Sequence, residues 1–260
     1  MQRATSHPSN GTFDVGSALV LAPHPDDETL GCGILIAHKQ QLGLQVSVAV
    51  ISDGREGWAS AEERPGPDDV GTIRHGEWHR ALDLLGVDTS ARHELGHRDQ
   101  SLSSVEDDVS ASIAALIRSL SPQQVFTTSP DDLHDDHRAL ARATMRAVDR
   151  IGHEDPVRTP ELFAYRVYPQ AGLWTAATLE RPAVPRTATA IPSALWRTFR
   201  TPTLKLVDED AAATKAAAVG AFASQRSFLS TELRSMWSDS TELFARLEHQ
   251  GPPTTGTPRS

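Results

Sequence analysis

Over the first 150 residues, short unbroken apolar runs alternate with longer stretches whose apolar positions recur every three or four residues. Residues 17–22 (SALVLA), 45–52 (QVSVAVIS) and 124–128 (QVFTT) are runs of the first kind. They are largely apolar or β-branched and predict strands buried on both faces. Residues 28–41, 72–85, 105–120 and 136–151 are of the second kind and predict helices. Gly43 and Gly86 follow the first two of these as stop signals. Pro23 and Pro25 end the first run, and Asp53-Gly54 turns the chain after the second. Residues 55–71 mix Gly, Pro and charge and read as a long loop.

This order of elements predicts an α/β fold, with a Rossmann-like, mainly parallel sheet flanked by helices. Ligands in such sheets gather at the carboxyl ends of strands. Chemistry is therefore expected just after Ala22, Ser52 and Thr128. Residues 155–205 are rich in Pro, Arg and Thr and read as loops and edge strands, with a strand over 162–167 (LFAYRV). An Ala-rich helix is expected over 208–228. A last helix is expected over 231–249, with Met236, Leu243, Phe244 and Leu247 on its apolar side. Residues 1–16 and 251–260 read as loose tails around a single domain spanning 17–250.

Composition narrows the class. The 34 acidic and 25 basic residues give a net charge of −9, which argues against nucleic-acid and anionic-membrane binding. A lone cysteine, Cys32, excludes an intrachain disulfide and a cysteine zinc site. No apolar run reaches the roughly 18 residues of a membrane span, and the polar start lacks a signal-peptide core. A cytoplasmic protein is the expectation. Eleven histidines make their placement the main question.

Two stretches carry the candidate chemistry. Pro23-His24-Pro25-Asp26-Asp27-Glu28 follows the first strand, and Ser129-Pro130-Asp131-Asp132-Leu133-His134-Asp135-Asp136-His137-Arg138 follows the third. Acids in a first helical turn also serve as caps, and each stretch alone is open to that reading. Together they bring His24, Asp27 and His137 to one sheet edge. Two neutral imidazoles and a carboxylate make a catalytic zinc shell with a position left for water. Nitrogen donors without thiols favour zinc or iron over magnesium.

Ala22-Pro23-His24-Pro25-Asp26-Asp27-Glu28 with Gly31, and His134-Asp135-Asp136-His137-Arg138-Ala139, resemble the two signature motifs of the LmbE-like, or PIG-L, zinc-dependent N-deacetylases. Arg74 and Glu77 with Ala81 and Leu85-Gly86-Val87 resemble that family's RxxE helix, and Lys215 to Ser224-Gln225 its late K…SQ segment. The resemblance implies His24, Asp27 and His137 as ligands of Zn2+, or Fe2+ in its place. It implies Asp26 as the base and His134 as the group facing the oxyanion. It implies an N-acyl glycoside substrate, in particular an N-acetylglucosaminyl conjugate. An amidase acting on a glucosaminyl-inositol thiol conjugate and a non-catalytic metal-stabilised sugar-binding protein are the alternatives.

The chain departs from the family pattern in two places. Asp135 adds an acid beside the motif, and Asp132 stands where some relatives have Tyr, so Tyr165 or Tyr168 would have to supply a phenol. His134, if protonated among Asp131, Asp132 and Asp135, would be a cation near the oxyanion. Arg74, Asp99 and Asp53 are candidate substrate contacts. For Arg74 the competing reading is an ion pair with Glu77, and for Asp53 a simple turn. His75 and His79, four apart on a helix, have metal spacing but lie among charged neighbours and read as a solvated face. His38 reads as solvated or facing a helix dipole. Trp58, Trp174, Trp196 and Trp237 are read as core or sugar-stacking residues. Residues 55–71 are a lid over the site or a contact in a homo-oligomer.

Overall fold

The computed structural model describes residues 11–58, 64–167, 203–225 and 240–248. Seven strands form one sheet in the order β3-β2-β1-β4-β5-β7-β6. They are β1 (Ala18–Ala22), β2 (Val46–Ser52), β3 (Arg92–His97), β4 (Gln124–Thr128), β5 (Glu161–Tyr165), β6 (Thr203–Val207) and β7 (Thr241–Leu247). β1 to β5 run parallel, whereas β7 is antiparallel to both β5 and β6. The chain winds outward from β1 through β2 to β3, then returns to β4 on the other side of β1 and continues to β5. The direction of winding reverses between β1 and β4, and a crevice opens there at the strands' carboxyl ends.

Among the described residues five helices cover the sheet: α1 (Asp27–Gln41), α2 (Pro67–Leu84), α3 (Glu106–Leu120), α4 (Asp135–Glu154) and α5 (Glu209–Val219). The side chains of β1 alternate. Ala18 and Val20 join the core under α1, α2 and α5, while Leu19 and Leu21 join the core under α3 and α4. Both faces are thus apolar, as the unbroken strand runs predict. α1 lies close to β5 because Gly31 has no Cβ. One placed there would come within 2.2 Å of the Tyr165 ring.

The α/β expectation and the mainly parallel sheet hold. The structure differs at particular elements. β7 occupies residues 241–247, where a helix was expected over 231–249. α5 ends at Val219 rather than continuing to 228. α2 begins at Pro67, five residues before the expected start. Proline's fixed φ suits the first helical position, and Asp68 and Asp69 face the helix dipole. β3 has no counterpart in the sequence reading. Residues 11–14, read as part of a loose tail, form a 3-10 turn that buries Phe13 against Phe126, Phe163 and Phe244. Residues 1–10, 251–260, Tyr168, Trp174, Trp196, Met236, Trp237 and His249 lie outside the described residues.

Candidate metal centre

β1 ends at Ala22, and His24 leaves the sheet on the crevice side two residues later. α1 starts at Asp27, so Asp26 must close a very short gap. It does so at φ 148° and ψ −26°, a conformation that L-residues rarely adopt and that stores strain on the order of 1–3 kcal/mol. Asp27 Oδ2 then becomes a hub. It accepts the backbone N–H of His24 at 3.1 Å and lies 3.0 Å from His24 Nδ1. From the other side of the crevice, His137 brings Nε2 to 3.2 Å of the same oxygen. His137 sits in the first turn of α4, and Thr128 Oγ1 donates to its carbonyl at 2.8 Å, tying that turn to the end of β4.

The outer ring nitrogens are matched as well. His24 Nε2 lies 3.1 Å from Asp99 Oδ1 and 3.3 Å from Asp136 Oδ2, and His137 Nδ1 lies 3.1 Å from Asp132 Oδ2. These acids are themselves held. Asp136 accepts the N–H groups of Gln100 and Leu102, Asp99 that of Glu56, and Asp132 that of His134. Imidazoles backed by carboxylates on the far nitrogen are the usual support of metal-binding histidines. The donor chemistry, nitrogen and carboxylate oxygen without thiol, fits a cation such as zinc. Ligand atoms of His24, His134 and His137 also lie within 4.8 Å of one another, as do those of His24, Asp99 and Asp136. Asp27 Oδ2, at 3.0 and 3.2 Å from the His24 and His137 nitrogens, adds a carboxylate between two members of the first group.

Charge follows from burial. His24 and His137 are 8% and 2% exposed. Desolvation works against their cationic forms, but the carboxylates outweigh it. His24 is raised well above the ordinary histidine value by Asp136, Asp27 and Asp99, and His137 to about 9 by Asp27 and Asp132. Burial would raise Asp27, yet the two histidines hold it well below the carboxylate range. Burial raises Asp26 to about 7 against the pull of Arg74, and Glu28 to about 8 although Thr29 Oγ1 donates to it.

His134 does not meet the condition of being protonated: burial and the charges of His24 and His137 lower its pKa. Asp131 is exposed, Asp135 pairs outward with Arg138, and Asp132 turns to His137. His134 Nδ1 accepts the Asp136 N–H at 3.2 Å, capping α4. A neutral ring with that bond carries its proton on Nε2. Its ring centroid lies 4.9 Å from those of both His24 and His137.

The remaining candidates divide. Arg74 is buried in the site, donating to Asp26 Oδ2, Pro25 O and Gly54 O, each at 3.1 Å. It does not pair with Glu77, which instead holds Ser224 by N–H at 2.8 Å and by Oγ at 2.6 Å. Asp53 accepts the N–H groups of Arg55 and Asp99 and pairs with Arg55 Nε, so both of its oxygens organise the loop after β2. Asp99 touches His24 directly. Tyr165 does not supply the missing phenol: it is buried and donates to Leu21 O at 2.8 Å. His38 is not solvated but lies between Asp208 at 2.7 Å and Asp14 at 2.9 Å. Asp136 was not singled out from the sequence, and Asp132 was noted only as standing where some relatives have Tyr and as an acid beside His134, not as a partner of His137. Their signal was a position two residues from a motif histidine, hidden within a run of acids.

A family model described as PIG-L, GlcNAc-PI de-N-acetylase, matches residues 19–148, half of the chain. A probable N-acetyl-alpha-D-glucosaminyl L-malate deacetylase 2 of Bacillus cereus is 32% identical over 146 residues, covering 53% of this chain and 63% of that protein. A 1D-myo-inositol 2-acetamido-2-deoxy-alpha-D-glucopyranoside deacetylase of Rhodococcus jostii is 33% identical over 157 residues, covering 52% and 53%. The chain thus spans under two thirds of the length of either relative. The crystal structure of N,N'-diacetylchitobiose deacetylase from Pyrococcus horikoshii superposes with a TM-score of 0.64 at 18% identity, covering 93% of this chain and 89% of that one. At that identity the likeness speaks for the fold.

Proposed function

The chain belongs to the PIG-L family, and on that premise we propose that it is a metal-dependent hydrolase that removes the acetyl group from the nitrogen of an N-acetylglucosaminyl conjugate. The observation that carries the reading is the meeting of His24 Nδ1 and His137 Nε2 on Asp27 Oδ2, with Asp26 and His134 beside them but outside that contact. His24, Asp27 and His137 would hold the cation. A zinc ion bound there supplies water acidified to a pKa of roughly 7 and polarises a carbonyl.

The chain's own groups supply the rest. Asp26 is fixed at the N-terminus of α1 by Arg74 and cannot turn to the same point as Asp27, its neighbour in sequence. It is therefore left to take a proton from the attacking water. His134, neutral and protonated on Nε2, donates to the oxygen that gains charge when the amide carbonyl is attacked. Asp132, Asp136 and Asp99 keep the two ligand rings oriented. Asp132 in place of a phenol leaves His134 as the described side chain suited to that donation.

The test is acetate release from a panel of N-acetylglucosaminyl conjugates by the zinc-loaded protein. Turnover on at least one, lost in Asp26→Asn with zinc retained, is the expected result. No release across the panel would overturn the reading.

A further inference from the structure

Asp26 holds a strained backbone conformation, and such strain persists only where surrounding contacts over-determine it. One of those contacts is the Arg74 guanidinium, and what fixes Arg74 comes from far along the chain. Gly57 lies against it so closely that a Cβ there would sit 2.2 Å from Arg74 Nη1. The turn that carries Gly57 closes on itself through Gly57 N–H to Gly54 O at 3.2 Å, and Gly54 O also accepts Arg74 Nη1. The Gly57 carbonyl is in turn held at 3.0 Å by the side-chain amide of Gln225. Gln225 follows Ser224, which is fastened to Glu77 one helical turn along α2 from Arg74.

We infer that Gln225 is a positioning residue for the reaction: its amide pins the 54–57 turn onto Arg74, and Arg74 holds Asp26 in its strained place. This rests on the reading of Asp26 as the base. Ser224 and Gln225 lie outside the segment matched by the family model, at residues 19–148. They bring the end of α5 to bear on a site otherwise built by the first half of the chain. The linkage is directional. Glu77 and Ser224 dock the segment, and among the described residues Gln225 reaches from it to the turn.

The test uses the full chain loaded with zinc. Gln225→Ala should raise amide hydrogen exchange across residues 53–58 and lower kcat by at least about tenfold, since small misplacements of a catalytic group are costly. KM, zinc stoichiometry and thermal midpoint should stay near wild type. Gly57→Ala, which presses on Arg74 from the other side, should lower kcat in the same way. In an Arg74→Ala background, Gln225→Ala should add no further loss. Unchanged exchange, a change confined to KM, or additive losses in the double variant would each overturn the inference. If the wild-type protein itself released no acetate, the functional reading would fall, and the exchange measurement would still judge the latch.

Discussion

Two regions of this molecule bring a pair of histidines to one carboxylate, and they differ in ways that separate a candidate metal site from a surface contact. In the crevice, His24 and His137 both approach a single oxygen, Asp27 Oδ2. On the outer face, His75 and His79 approach Glu94 at 2.7 and 2.8 Å, but each takes a different oxygen. The nitrogens there are parted rather than focused. The surface side chains are also 45% exposed at His79 and 39% at Glu94, and Arg92 Nη1 lies 3.5 Å from His79 Nδ1. No carboxylate backs the outer nitrogen of either ring among the contacts observed. Histidine spacing does not make a site. Convergence on one point, burial and a second layer of acids set the crevice apart.

The contrast yields predictions that fall in size. Asp26→Asn should lower kcat by about 10²–10⁴-fold, the range of general-base catalysis, while zinc content stays at the wild-type level. Steady-state kinetics with elemental analysis checks both. His134→Ala should cost about 10²–10³-fold with metal retained. Loss of the metal instead would move His134 into the ligand set. Asp132→Ala should weaken zinc affinity by about 10–100-fold, read by competition with a chromophoric chelator. In the metal-free protein His137 holds a proton up to about pH 9, and a cation must displace it. Zinc affinity should therefore climb as pH rises toward 9 and fall as pH drops below it. A flat profile from pH 6.5 to 9 would contradict the charge state assigned to His137. Smallest of all, Glu94→Gln should change stability by less than about 1 kcal/mol in a denaturant titration and leave zinc affinity unchanged.

Much of the crevice was legible in the sequence because its supports are local and strong. β1, β2 and β4 are continuous apolar runs, and the helices behind them have a clear period. The motif residues sit at their ends, where a parallel sheet puts ligands. β3 escaped notice because it is the edge strand: Arg92-His93-Glu94-Leu95-Gly96-His97 is polar, partly exposed and has no apolar run. β7 was misread because Leu243, Phe244 and Leu247 also fit a helical face. Its buried alternate positions are Glu242 and Phe244, and Glu242 is buried only because Lys215 at 2.8 Å and two N–H groups of α1 satisfy it. A buried acid with distant partners breaks the apolar alternation from which strands are read. The roles of Arg74 and Glu77 were blurred for a similar reason. Three residues apart on a helix they look like a pair, but one turns into the site and the other reaches Ser224, 147 positions away. The site's direct groups fall in two short motifs, whereas the contacts that hold them are scattered along the chain.

The most direct test of the central claim is the metal content of the purified protein, measured by elemental analysis for wild type, His137→Ala and His79→Ala after zinc is restored and excess removed. The account predicts about one equivalent of metal in wild type and in His79→Ala, and its loss in His137→Ala. Wild type that holds no metal, or a His137→Ala protein that keeps a full equivalent, would mean that His24, Asp27 and His137 do not form the site, and the proposed hydrolysis would fall with it.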